Sequence, residues 1–342
     1  MRMRIHLSRR ITLKFIAASA LLPALLSLSS FAAIAQAPIP PPPQSVTCSE
    51  TNASDAYLGI STIRLWPGDA PQANGTGCED IPTLSVMRPQ PGRENGSAVV
   101  VIPGGAYMGL AAILEGREVG DWFAARGFTA FVLRYRLGKK YLLPVPLIDA
   151  RRAVQLVRAR ARDYHIGPDR IVVIGFSAGG NLAALSGTQS VPGNPDAEDP
   201  IDRVSSKPDY LVLGYPWIGA ISQNTAHLTY CKLMDLLPDH ADRCEELRKA
   251  YSPDLFVTRD TPPTFIYHTT DDQTVPVEQA LSFYEAMLKA GASAEIHIFA
   301  HGSHGSGLGS GNATLDQWPN LLENWLRDRG LLMPEPASTS SH

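Results

Sequence analysis

Ile171-Val172-Val173-Ile174-Gly175-Phe176-Ser177-Ala178-Gly179-Gly180-Asn181 is the stretch on which the reading of this 342-residue chain turns. Four β-branched apolar residues in a row read as a strand buried on both faces. A Gly-x-Ser-x-Gly turn follows, then a stretch that reads as a helix. A serine at such a turn sits on strained backbone with its hydroxyl lifted clear of the sheet. The flanking glycines let the chain fold back without clashing side chains. Three residues of pattern are weak evidence alone; the strand before and the helix after give them weight.

Serine becomes a useful nucleophile only when a base takes its proton and a carboxylate orients that base. Downstream, His304 lies in the glycine-rich loop His301-Gly302-Ser303-His304-Gly305, after the last apolar strand. His301 is a neighbouring loop histidine, and His297 falls mid-strand where alternation puts it on the polar face. Asp271 and Asp272 follow the strand Thr264 to His268. Asp272 is preferred as the orienting acid, because it opens Asp-Gln-Thr-Val-Pro and leads into the next helix. A developing oxyanion needs backbone donors. Ala178, the residue after the serine, is one candidate. Gly105 and Ala106, in the loop Pro103-Gly104-Gly105-Ala106-Tyr107 after a buried strand, are the others.

Working outward, apolar runs alternate with amphipathic stretches. Strands are expected at Leu84 to Arg88, Ala98 to Ile102, Phe128 to Tyr135, Arg170 to Gly175, Tyr210 to Leu213, Thr264 to His268 and Ala294 to Phe299. Helices are expected at Glu115 to Arg126, Leu147 to Tyr164, from Ala178, at Val277 to Ala290 and near Leu315 to Arg329. The four arginines between Arg151 and Arg160 are placed largely off the apolar face of their helix. Strands alternating with helices predict an α/β fold, a mostly parallel central sheet with helices on both faces. Residues 219–261 interrupt the rhythm between two core strands and read as a small cap-like insertion.

The first 35 residues read as a signal peptide. Arg2, Arg4, Arg9, Arg10 and Lys14 precede the apolar run Phe15 to Ala35, which ends in small residues at Ala33 and Ala35. A cut after Ala37 is less attractive because Pro38 would adjoin it. Ser8-Arg9-Arg10 also fits a twin-arginine signal, so either that route or the general secretory one is open. Residues 36–58 read as a Pro-rich linker, 59–332 as the folded domain and 333–342 as a tail. Export to the periplasm or beyond is therefore expected, with no stable membrane insertion after cleavage. The chain carries 30 basic and 33 acidic residues, a net of −3; without the five leader cations the charge deepens to about −8. Such a surface does not suit nucleic acid. Cys48, Cys78, Cys231 and Cys244 can pair three ways; Cys48–Cys78 and Cys231–Cys244 are favoured as close in sequence. Their spacing does not suit zinc. Asp196, Glu198, Asp199 and Asp202 lack the regular spacing of a calcium loop and read as a solvated acidic loop. No metal and no cofactor is expected.

Several ordered motifs together resemble exported bacterial α/β-hydrolases of the carbohydrate-esterase type, related to acetylxylan and feruloyl esterases. They are Leu65-Trp66-Pro67 with Ala70-Pro71, Val100 to Tyr107, Tyr135-Arg136-Leu137, Asp149 to Ala153, Gly175 to Asn181, Asp271 to Pro276, and His304-Gly305. The resemblance implies the α/β-hydrolase fold, with Ser177, Asp272 and His304 as the catalytic residues. It implies an acylated carbohydrate or other small ester as substrate, with Tyr107 and Asn181 expected to touch it. Two departures stand out: Ala106 replaces a usual glycine, which trims the oxyanion loop, and Asn181 stands where a histidine is common. The expected reaction is hydrolysis of short acyl esters, acetyl foremost. The alternatives are an exported serine peptidase of the prolyl-oligopeptidase kind and a catalytically silent binding protein on the same fold.

Overall fold

In the computed structural model of the protein, residues 60–219, 231–232 and 239–332 are described. The expected leader, linker and tail lie outside them. Eight strands form one sheet: β1 (Ser61–Arg64), β2 (Thr83–Met87), β3 (Ala98–Ile102), β4 (Thr129–Arg134), β5 (Ile171–Phe176), β6 (Tyr210–Gly214), β7 (Thr264–Thr269) and β8 (Ala294–Phe299). Their order is β1-β2-β4-β3-β5-β6-β7-β8. β1 and β2 run antiparallel to their neighbours, and every pair from β4 onward is parallel. The described helices are α1 (Glu118–Ala124), α2 (Val145–Ala159), α3 (Ser177–Thr188), α4 (Ala241–Ala250), α5 (Glu278–Ala290) and α6 (Trp318–Asp328).

The period-2 alternation of strand side chains sorts the core into two layers. Val100, Ile102, Val173, Leu211, Leu213 and Ile266 face α2, α3 and α5. Val99, Val101, Val172, Ile174, Val212 and Phe265 face α1 and α6, where Trp318, Leu322 and Trp325 cover them. β3 and β5 are wholly buried, as their unbroken apolar runs require. The chain therefore has the α/β architecture its sequence predicts.

Four details differ from the sequence reading. β1 was not expected; Ser61–Arg64 has only one buried side chain, Ile63, and pairs antiparallel at the sheet edge. The helix expected from Glu115 begins earlier, as a π-helical turn over Ala112–Arg117 that runs into α1. The helix expected to reach Tyr164 ends at Ala159, and a 3₁₀ turn over Ala161–Tyr164 follows, closed by His165 at φ 55°. Two of the arginines placed off the apolar face, Arg152 and Arg160, are buried. Arg152 reaches Asp202 at 2.9 Å and also Asp199, so part of the acidic loop read as solvated is its counter-ion.

A buried ion pair fastens the top of β4. Arg136 Nη2 lies 2.6 Å from Asp149 Oδ1 of α2, with both side chains fully enclosed. Its Nη1 donates to Pro71 O at 2.6 Å, which ties the chain between β1 and β2 to the same post. Breaking such a pair leaves an uncompensated charge in the core. His297, placed on the polar face, is partly exposed and pairs with Glu295 at 2.8 Å. Between β6 and β7, where the insertion was expected, stand α4 and the turn Pro253–Phe256; residues 220–230 and 233–238 lie outside the described ones. Cys231 is bonded to Cys244 of α4. Cys78 is also disulfide-bonded, while Cys48 lies outside the described residues.

Candidate active site

β5 ends at Phe176 and α3 starts at Ser177, so the turn between them has no loop residues at all. Ser177 adopts φ 51°, a left-handed conformation that a non-glycine residue takes only under constraint. The neighbouring glycines show what permits it. A Cβ on Gly175 would lie 2.1 Å from Gly179 O, and one on Gly179 would lie 2.2 Å from Ile102 O. Only hydrogen fits at either place. The Ser177 carbonyl accepts the N–H of Trp217 at 3.0 Å, which anchors the turn to the segment after β6.

His304 arrives from the loop after β8 and Asp272 from the turn after β7. His304 Nε2 is 2.8 Å from Ser177 Oγ, and its Nδ1 is 2.7 Å from Asp272 Oδ2. Asp272 is buried and accepts on Oδ1 the N–H groups of Thr274 and Val275, at 2.8 and 2.9 Å. Burial pushes its carboxyl up, but the hydrogen bond from His304, those two N–H groups and the imidazole charge outweigh burial and hold it below the usual range. An ionised Asp272 can only accept, so Nδ1 carries the proton and Nε2 is left free to accept from the serine. The three residues thus form one row from carboxylate to hydroxyl.

Asp271, next in line, faces away from this row. It accepts the N–H of Gly302 at 2.8 Å and lies 3.1 Å from His301 Nδ1. Those contacts, the Gly302 N–H first, lower its own carboxyl. His301 is largely exposed and does not reach the serine.

The loop after β3 presses against the serine. A Cβ at Gly104 would meet Phe176 O at 2.6 Å and Ser177 Cβ at 2.9 Å. Gly105, Ala106 and Tyr107 all take positive φ, at 134°, 55° and 59°. Among the described residues no internal acceptor is paired with the N–H of Gly105 or of Ala106. Ala178, in the first turn of α3, has no acceptor within its own helix. Gly104 differs, since its N–H is already given to Glu115 Oε2 at 2.7 Å.

Tyr107 and Asn181, expected at the substrate, are both buried and bonded to each other, Tyr107 Oη to Asn181 Oδ1 at 2.7 Å. Asn181 Nδ2 reaches Ile218 O at 3.4 Å, and Gly138 N–H donates to Tyr107 O at 2.7 Å. The structure therefore gives them internal partners that brace the oxyanion loop against α3. A cavity of about 390 Å³ opens beside the far side of the loop, walled by Met108, Leu110, Ile81, Arg134 and Leu137. Neither Ser177 nor His304 lines it. Among the described residues no cluster of three His, Cys, Asp or Glu could hold a metal ion.

Sequence reasoning missed two polar residues here, Glu115 and Tyr215. Tyr215 has φ 34°, packs its ring against His304 at 5.0 Å and donates to Glu115 Oε1 at 2.7 Å. An acid and a tyrosine one hundred residues apart carry no local signature, so nothing in the sequence singles them out.

Known proteins resemble this chain in sequence and in shape. The chain is 31% identical to an acetylxylan esterase of Xylanibacter ruminicola over 69% of its own length and 46% of that protein's. It spans half or less of the first few curated relatives it matches. Among solved structures, an acetyl ester-xyloside bifunctional hydrolase from Caldicellulosiruptor lactoaceticus superposes with a TM-score of 0.72 at 38% identity, covering 80% of this chain and 97% of that one. A thermophilic esterase of the Planctomycetes species Thermogutta terrifontis, with propionate bound, gives 0.64 at 26%, covering 81% and 97%. The BD-FAE family matches residues 84–287, which run from β2 through the serine turn and Asp272 into α5, and this chain belongs to that family.

Proposed function

We propose that this chain is a serine esterase that removes short acyl groups, acetyl foremost, from acylated carbohydrate of the xylan type. The observation that carries the reading is the single row Asp272–His304–Ser177, with both hydrogen bonds at ordinary length. His304 takes the hydroxyl proton as Ser177 Oγ attacks the ester carbonyl. The tetrahedral oxyanion is met by the N–H groups of Gly105, Ala106 and Ala178. The imidazolium then returns its proton to the departing sugar hydroxyl, leaving an acyl-enzyme. A water, deprotonated by the same imidazole, releases the acid. Support for the substrate class comes from the relatives, which include an acetylxylan esterase and an acetyl ester-xyloside hydrolase.

Export belongs to the same proposal. Its support is the basic and apolar character of residues 1–35, together with the Cys231–Cys244 bond, which persists in oxidising compartments.

The test is Ser177→Ala, purified and shown to be folded. Turnover of p-nitrophenyl acetate and acetate release from acetylated xylan should both fall by several orders of magnitude. A folded variant with near-normal turnover overturns the nucleophile assignment. Wild-type cleavage of a peptide amide in preference to either ester overturns the esterase reading.

A further inference from the structure

The π-helical turn Ala112–Arg117 inverts the usual order of exposure. Ile113 and Leu114 face solvent, while Glu115 is 3% exposed. Hydropathy alone would choose the opposite arrangement, and π turns give up regular helix bonding; such turns recur at functional sites. The turn is pinned by its own backbone, with Ala111 N–H on Gly104 O and Glu115 N–H on Ala111 O, at 2.9 and 3.0 Å.

The buried carboxylate joins the two loops that the reaction needs. On one side it accepts the Gly104 N–H, beside the oxyanion donors. On the other it accepts the Tyr215 hydroxyl, and Tyr215 Oη in turn takes the N–H of Gly307 at 3.0 Å, three residues past His304. Gly307 O is held by Tyr267 Oη at 2.8 Å and Trp318 Nε1 at 3.2 Å. Because Gly307 donates to Tyr215, the tyrosine proton points to Glu115. Both partners of the carboxyl are donors, so an anion satisfies both and an amide satisfies one.

We propose that Glu115 is a positioning residue for this reaction, an anionic clamp that sets the oxyanion loop through Gly104 and the His304 loop through Tyr215, and whose charge supports the imidazolium as it forms. The inference rests on the serine-esterase reading above. Burial pushes the Glu115 carboxyl up, while the Tyr215 hydroxyl, the Gly104 N–H and the His304 charge pull against it. The titratable groups near it are Tyr215, Tyr135 and Tyr267 from the strand ends and His304 from its loop. On its own turn Arg117 pairs outward with Asp121. His304 faces Asp272, Ser177, Tyr215 and, more distantly, His268.

Glu115→Gln, Glu115→Asp and Tyr215→Phe, each verified as folded, are compared with wild type and with Ser177→Ala on p-nitrophenyl acetate across pH. Glu115→Gln should lower kcat about 10²-fold with KM little changed, as misplacement of reacting groups does. It should also move the acid limb of kcat/KM to lower pH by about one unit, because a charge that favours the imidazolium is gone. Glu115→Asp keeps the charge and should keep the wild-type limb while losing rate through its shorter reach. Tyr215→Phe keeps the ring on His304 and the Glu115 charge but cuts the bridge, and should lower kcat while leaving the limb in place. A merely structural role would lower rate at every pH without moving the limb. An unmoved acid limb in Glu115→Gln, or, where that variant does not fold, an unchanged kcat in Tyr215→Phe, overturns the inference and leaves the esterase reading intact. Retained turnover in Ser177→Ala overturns that reading itself, and the inference with it.

Discussion

Adjacent carboxylates at 271 and 272 point to different partners, one to the His304 imidazole and one to the backbone that carries the His304 loop. Asp272→Asn should lower kcat by about 10⁴, because an amide favours the wrong tautomer and cannot stabilise the imidazolium. Asp271→Asn should cost far less, through looser support of Gly302. Steady-state kinetics near pH 7 on folded variants checks both, and a crippled Asp271→Asn beside an active Asp272→Asn would move the acid by one residue. The depressed Asp272 carboxyl adds a pH signature. Its stabilisation is complete above the usual carboxylate value and is lost as pH falls through its own lower pKa. The melting-temperature gap between wild type and Asp272→Asn should therefore be full at neutral pH and shrink below about pH 4. Ser177, Asp272 and His304 each sit in a short local pattern that a sequence can expose, and the structure brings the three together. Glu115 sits in no such pattern, since its partners stand 11 and 100 residues away.

Elements meet at the serine with no slack, and Gly179 measures how little there is. A methyl group there would press into the carbonyls of Ile102 and Pro103, at 2.2 and 2.6 Å, so β3 and the oxyanion loop would have to move off α3. Gly179→Ala should cost about 1–3 kcal/mol of stability as overpacking, and lose about 10²-fold or more in kcat through displaced donors. Gly68→Ala, where nothing lies within 4 Å, is the matched control and should behave as wild type. Thermal melts and ester turnover on the pair check this; equal behaviour of the two variants would contradict it. At this scale, the unbroken apolar run Ala98–Ile102 was legible to its ends, and so was the alternating Ala294–Phe299. β1 was not, because four residues with one buried side chain give no periodicity to read. The buried arginines were hidden for another reason: Arg152 is satisfied by Asp199 and Asp202 across about fifty residues, and charge alone marks a side chain as solvated.

For the whole molecule, the alternation of strands and helices sufficed for the α/β architecture, while the antiparallel edge depended on a strand the sequence did not reveal. Cysteine number and spacing bear on compartment. The Cys231–Cys244 bond closes a loop with sequence separation 13, which in the chain-entropy picture contributes about 3 kcal/mol by restricting the unfolded chain. Denatured, unreduced protein recovered from the periplasm or medium should show no free thiol on titration; four reactive cysteines, or full-length chain retained in the cytoplasm, would contradict export. The strand order has a further consequence, for time rather than space. The serine turn follows β5, but His304 and Asp272 are carried after β8 and β7, on the far side of β6. A nascent chain that has emerged only through residue 260 presents Ser177 with neither partner, however well its first strands have paired. On the proposed mechanism, a chain that lacks the segments after β7 and β8 cannot turn over an ester by this row, however much of the sheet has formed.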